Sequence, residues 1–205
     1  MVIAALVCSH LESQDPRITL KELDTKLQKE IYPHYKRWCR RKGKCASACS
    51  HRFNAARFGK EQWGVFPELG SIYKAAVVKT MLFWCNDFLR EQVGHVPGAQ
   101  ARANVIHGFA KFQFILDVNG PFLEPVQTTE AVKYARAGLL FYQELSAADR
   151  ARADERRFYK VIPKFHSLME MTIYMESTNR NPRFFGIPSL NFSICFFVGN
   201  GKTFP

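Results

Sequence analysis

The stretch HYKRWCRRKGKCASACSHR, His34–Arg52, crowds together the two side chains best suited to holding phosphate. Lys supplies a point charge, and Arg a planar fork that takes two phosphate oxygens at once. From Ile31 to Lys60 there are nine such residues (Lys36, Arg37, Arg40, Arg41, Lys42, Lys44, Arg52, Arg57 and Lys60) and no Asp or Glu. The whole chain carries 29 Lys and Arg against 18 Asp and Glu, a net charge of +11, so outside this block the signs nearly balance. A field concentrated in one segment attracts polyanions: nucleic acid, an anionic membrane surface or an acidic protein. On a helix Lys36, Arg40 and Lys44 form an i, i+4, i+8 row beside Arg37 and Arg41, so these five share a face. They are the expected nucleic-acid-binding set, giving affinity without sequence choice. Tyr35 and Trp38 are available for base stacking or for core packing. The competing reading is a solvated helix face whose Lys and Arg stems cover apolar neighbours.

Two other constellations carry side chains capable of chemistry. Cys39, Cys45, Cys49 and His51 offer thiolates and an imidazole within thirteen residues. Their gaps do not match the paired C-x₂₋₄-C knuckles of structural zinc sites, and no metal is expected. His166 and Glu170 stand at i, i+4 near Lys164 and Tyr159, but no nucleophile motif, phosphate loop or H-E-x-x-H accompanies them. His95 and His107 are isolated and read as structural. No catalytic residue and no cofactor is assigned, and an enzyme is not expected.

Helices must position the basic face. Leu20, Leu23, Leu27 and Ile31 predict a first helix over 18–31 with Thr19 as cap. Pro33 then begins a second helix to Lys42 or kinks the first, and Gly43 ends it. Residues 46–64 read as a loop holding Phe53, Phe58 and Trp63. A long helix is expected over 69–93, another over 99–118, a third from Thr128/Thr129 to Leu145 or later, and a last from Pro163 to about Ser177 with Phe165, Met169 and Ile173 inward.

At 205 residues and 23.6 kDa the chain is long enough for one full core, and 47% apolar with 23% charged residues is ordinary globular usage. Six dispersed cysteines fit a reduced, intracellular protein of nucleus or cytoplasm. The apolar run Val2–Cys8 is seven residues long with no basic residue before it, which argues against a secretion signal. No stretch approaches the ~18 apolar residues of a membrane span. The expected organisation is an N-terminal extension at 1–17, a helical domain at 18–186, and an irregular apolar tail at 187–205 that includes Phe192–Val198.

RFYKVIPKFHSLMEM (Arg157–Met171) followed by NRNPRFFG (Asn179–Gly186), together with YPHYKRWCRRKGK (Tyr32–Lys44), resembles a large helical family of algal protist (dinoflagellate-type) genomes. The similar register covers roughly Leu20–Gly186. The Lys-x-His element with its apolar run bears a weaker similarity to helical segments of DNA-transposase-derived proteins, which would imply a genomic-element origin and DNA contact. The family has no established activity, so the resemblance implies a helical fold more than a function. After Gly186, where that family would continue with an acidic helix, this chain has the apolar tail.

These observations predict an all-α, single bundle-like domain of five or six helices with a central antiparallel pair over 69–118. The leading functional expectation is a non-enzymatic, intracellular nucleic-acid-associated domain contacting DNA or RNA non-specifically through Lys36, Arg37, Arg40, Arg41 and Lys44. The alternative is an inactive transposon-derived scaffold or protein-interaction module meeting an acidic partner.

Overall fold

The computed structural model describes residues 2–44 and 51–185. Helix α1 spans Val2–Gln14, α2 Leu20–Lys26, α3 Tyr32–Arg41, α4 Ala75–Glu91, α5 Ala99–Val118, α6 Pro125–Arg150 and α7 Pro163–Thr178. The protein is all-α: among the described residues there is no strand, only an isolated antiparallel bridge between Phe122 and Arg180. The expected tail at 187–205 and the thiols of Cys45 and Cys49 lie outside the described residues.

The N-terminal run is not an extension. Every residue of α1 from Val2 to Glu12 is buried, because a helix that is apolar on all sides can only sit inside a fold. It touches α2, α4 and α5. Three of its polar residues are matched from outside: Glu12 lies 2.6 Å from Arg152 and 3.3 Å from Arg156, the Ser9 hydroxyl bonds the Tyr159 hydroxyl, and Arg102 donates to the Ser13 hydroxyl.

The helix begun at Leu20 does not stop at Pro33. A capping box closes its start, with the Thr19 hydroxyl accepting from the Glu22 N–H and the Glu22 carboxylate accepting from the Thr19 N–H. A π turn over Leu27–Ile31 then joins α2 to α3, with the Tyr32 N–H donating to the Leu27 carbonyl. Pro33 has no N–H to give and would crowd the carbonyl four residues back, and the π turn re-registers the ladder there.

The 69–93 helix starts only at Ala75, although Leu69 and Tyr73 before it are buried. Helix α6 starts at Pro125, three residues before the predicted caps: Glu124 and Gln127 form the capping box, and Thr128 is buried instead. Its end at Arg150 falls within the expected range, Leu145 or later. On α7 the inward face is Phe165, Leu168, Met171, Thr172 and Met175, while Met169 and Ile173 face solvent. Asn179 ends α7 at φ 52°, and the buried Asn181 amide donates to the carbonyls of Leu116, Asn119 and Gly120. The Asn-rich loop thereby ties the chain after α7 to the end of α5.

Helix α4 packs on α5 as predicted, and α5 packs in turn on α6 through two glycines. A Cβ on Gly108 would stand 2.7 Å from both the Gly138 nitrogen and the Tyr134 carbonyl oxygen, backbone atoms that cannot rotate away. Gly108→Ala therefore forces α5 and α6 apart and should cost about 3 kcal/mol in urea unfolding, an overpacking penalty. Gly120→Ala, with open space around its Cβ, should be near neutral; equal midpoints for the two variants would refute the close crossing.

His10 on α1 is fully buried, edge-on to Phe88 at 5.3 Å, and neither ring nitrogen has a hydrogen-bond partner. Burial first, then the charges of Arg102 and Lys26, lower its pKa to about 4. The unfolded chain binds that proton more readily, so stability should be complete above pH 6.5 and fall towards pH 4, by on the order of 3 kcal/mol from this group. His10→Phe keeps a ring against Phe88 and removes two unpaired nitrogens. It should flatten that pH dependence and be at least as stable at pH 7 in denaturant titrations.

Candidate nucleic-acid interface

Which way α3 faces is decided by its aromatic residues. Tyr35 and Trp38 are 0% and 3% exposed, so neither is free to stack on a base. Tyr35 stacks on Phe53 at 5.1 Å and meets Trp84 of α4 edge-on at 5.3 Å. The Trp38 indole N–H donates to Asp87 at 2.9 Å, and the Trp84 indole N–H donates to His34 Nδ1 at 3.0 Å. With that side held against α4, the bases of α3 point out.

Their surroundings differ along the helix. Lys36, Arg37 and Arg40 line a groove of about 760 Å³ with Lys29, Arg52, Gln28, Tyr32 and Pro33, and no carboxylate is among these lining residues. Arg37 and Arg40 stand on the ridge between this groove and a second, where Arg41 and His34 meet Glu91. Arg41 also joins Trp38, Lys42, Asp87, Arg90 and Glu91 in a third depression of mixed sign. Lys42 lies 3.7 Å from Asp87, and His34 Nε2 lies 3.7 Å from Glu91. His34 has its pKa lowered chiefly by burial, with Arg37 and Arg41 adding to the effect against the opposing pull of Glu91. Lys44 is exposed and lines none of the three.

The five predicted residues therefore divide. Three lie in the acid-free groove, Arg41 turns towards the α4 carboxylates, and Lys44 stands apart. Two groove cations were missed. Lys29 precedes the acid-free block because Glu30 interrupts it, although a residue seven positions before Lys36 falls on nearly the same side of a helix. Arg52 comes from beyond the α3 terminus, where no helical period applies. It is held by its neighbours: Phe53 is buried, and the Ala55 N–H donates to Asp24 of α2 at 2.7 Å.

The ninth base of the block is not on the surface. Lys60 is 0% exposed, with its ammonium donating to the carbonyls of Trp63 at 2.8 Å, Val65 at 2.7 Å and Arg157 at 2.6 Å. It also lies over the Phe158 ring at 4.7 Å. Burial pulls its pKa down to about 8, opposed by Cys8 and Asp149. This is a structural cation that pins residues 60–65 to the segment after α6.

The other constellations separate. Cys39 is buried and His51 packs edge-on against Tyr73. Among the described residues no group of three or more His, Cys, Asp or Glu could hold a metal ion. His166 does reach Glu170, at 3.2 Å, but the two side chains are 79% and 57% exposed on the outer side of α7. Tyr159, grouped with them by sequence, is buried on the other side against Ser9 and Tyr142. Among the described residues no helix is long and apolar enough to cross a membrane.

Comparison of the chain with known protein families, curated proteins and solved structures finds no match.

Lys60→Met would leave three carbonyls facing a methyl group and should lower stability by about 2–3 kcal/mol, read by thermal or denaturant unfolding. Lys60→Arg should not rescue it, because the cage is fitted to a compact ammonium. Full stability in Lys60→Met would refute the structural role.

Proposed function

We propose that this chain is a non-enzymatic, nucleic-acid-associated helical domain that holds phosphates in the groove between α3, the π turn and Arg52. The observation that carries this reading is the sign of that groove: Lys29, Lys36, Arg37, Arg40 and Arg52 line it without a carboxylate. On the other flank of α3, Asp87 and Glu91 offset the basic residues. A wall of one charge focuses field into the groove and recruits a polyanion, with Arg forks and Lys point charges meeting its phosphates. Contacts of this kind position a strand without reading its sequence.

A second reading is favoured by a separate surface. Phe114, Val118, Phe122, Val126 and Phe184 are exposed at the end of α5, the start of α6 and the segment after α7, with Phe122 against Phe185 at 5.4 Å. Exposed apolar groups gathered at one end of a fold suit a protein partner. A protein-interaction module, inactive as an enzyme, would use that end, with or without the basic groove.

Fluorescence anisotropy with short DNA and RNA, titrated with salt, tests the first reading. Binding should weaken linearly in log–log form, with a slope near −0.9 per phosphate neutralised on duplex DNA and −0.7 on single strands. The triple variant Arg37→Gln, Arg40→Gln, Arg52→Gln should lose at least about tenfold in affinity and reduce the slope by about two to three. Arg41→Gln should change binding less than Arg37→Gln. Equal loss from the two, or unchanged binding in the triple variant, would rule the groove out.

A further inference from the structure

We propose that the groove takes single-stranded nucleic acid, with one base stacked on the Tyr32 ring and the adjoining phosphates held by the surrounding cations. The inference rests on the nucleic-acid reading of the same groove and adds what kind of strand it accepts.

The argument starts from which aromatic the groove contains. Of the aromatic residues on α3, Tyr35 and Trp38 are in the core, whereas Tyr32 is half-buried and lines the groove beside Pro33. Its ring is held edge-on by the fully buried Phe53 at 5.4 Å, so its plane is set before anything binds. Lys36 lies over the same ring, its ammonium 5.5 Å from the centroid. A base that takes this position gains a stacking contact and releases the Lys36 ammonium towards the phosphate beside it. A groove of about 760 Å³ has room for a nucleotide or two by the usual scale of ligand sites.

A duplex cannot use this arrangement. Its base faces are already stacked on one another, so it presents only phosphates, sugars and groove edges to the Tyr32 ring. Duplex contact would draw on the cations alone, while a single strand would draw on the cations and on Tyr32. The preference for a single strand should therefore reside in one side chain. It should also be independent of base sequence, since every base has a π face.

The test uses the full chain and fluorescein-labelled oligo(dT), oligo(rU) and a DNA duplex of equal length, compared by anisotropy. Both single strands should bind roughly tenfold more tightly than the duplex. Tyr32→Leu should lose roughly that tenfold on single strands while leaving duplex affinity and the salt slope unchanged, and Tyr32→Phe, which keeps the ring, should bind as the parent does. Ultraviolet crosslinking of the parent chain to iodouracil-substituted oligonucleotide, with the adduct mapped by mass spectrometry, should mark Tyr32 and needs no folded variant. Equal affinity for single strand and duplex, an unchanged single-strand affinity in Tyr32→Leu, or adducts only elsewhere would overturn the stacking inference. If the Arg37, Arg40, Arg52 triple variant still lost binding in that case, the phosphate-binding reading would stand without it. Absence of binding to any probe would remove both.

Discussion

The aromatic seam between α3 and α4 is the contact on which the arrangement of the basic surface depends. Tyr35, Phe53, Trp84 and Phe88 pack in a continuous run, with Tyr35 stacked on Phe53 and Trp84 stacked on Phe88 at an interplanar angle of 13°. Offset stacking and edge-on contacts between large rings bury large apolar areas and add a directional preference of about 0.5–1.5 kcal/mol per pair. The indole N–H groups of Trp38 and Trp84 are both satisfied across the seam, so α3 cannot roll about its axis without breaking two partly buried hydrogen bonds. Once that rotation is set, the positions of Lys36, Arg37, Arg40 and Arg41 are set with it.

The same seam reaches beyond the two helices. Phe53 also meets Phe58, Tyr73 and Tyr32, which draws the segment after α3 back against it. Arg52 is placed in the groove because its neighbour Phe53 is a core residue. The basic groove is thus assembled from three pieces of chain, the π turn, α3 and the 52–55 segment, whose common support is apolar. The repulsion of five like charges near one another is outweighed by packing beneath them. The charge of the groove and its geometry therefore rest on different residues, which mutations can separate.

A second principle runs through the polar interior. Lys60, Glu12, Asp149 and Asn181 are all buried and all paired: Lys60 with three carbonyls, Glu12 with two arginines, Asp149 with the N–H groups of Phe158 and Tyr159, and Asn181 with three carbonyls. Lys60, Glu12 and Asn181 join segments distant in sequence, Asp149 reaches nine and ten residues on, and each ties down irregular chain that has no ladder of its own. The His10 ring and the Thr128 hydroxyl are left without hydrogen-bond partners, and His10, kept neutral by its surroundings, makes the interior sensitive to acid.

Much of the helical framework is legible from residue order. The span of α5 follows from glycine and proline at both ends, the Thr19 cap from its Glu three residues on, and the concentration of positive charge from simple counting. These are local properties, determined by spacing of 3.6 residues per turn and by which side chains can cap or break it. Other features were settled only by the fold. Val2–Cys8 reads as a short apolar run with no visible period, and only its neighbours reveal that all its sides are covered. Lys60 counts as one more base in an acid-free block, yet three carbonyls from two segments make it internal. Arg41 and Arg37 are equivalent in sequence, and the carboxylates of α4 separate them. Which residues carry charge is a property of the chain alone, but which charges stand together without an opposing partner depends on contacts between residues tens of positions apart, and no local period contains that information.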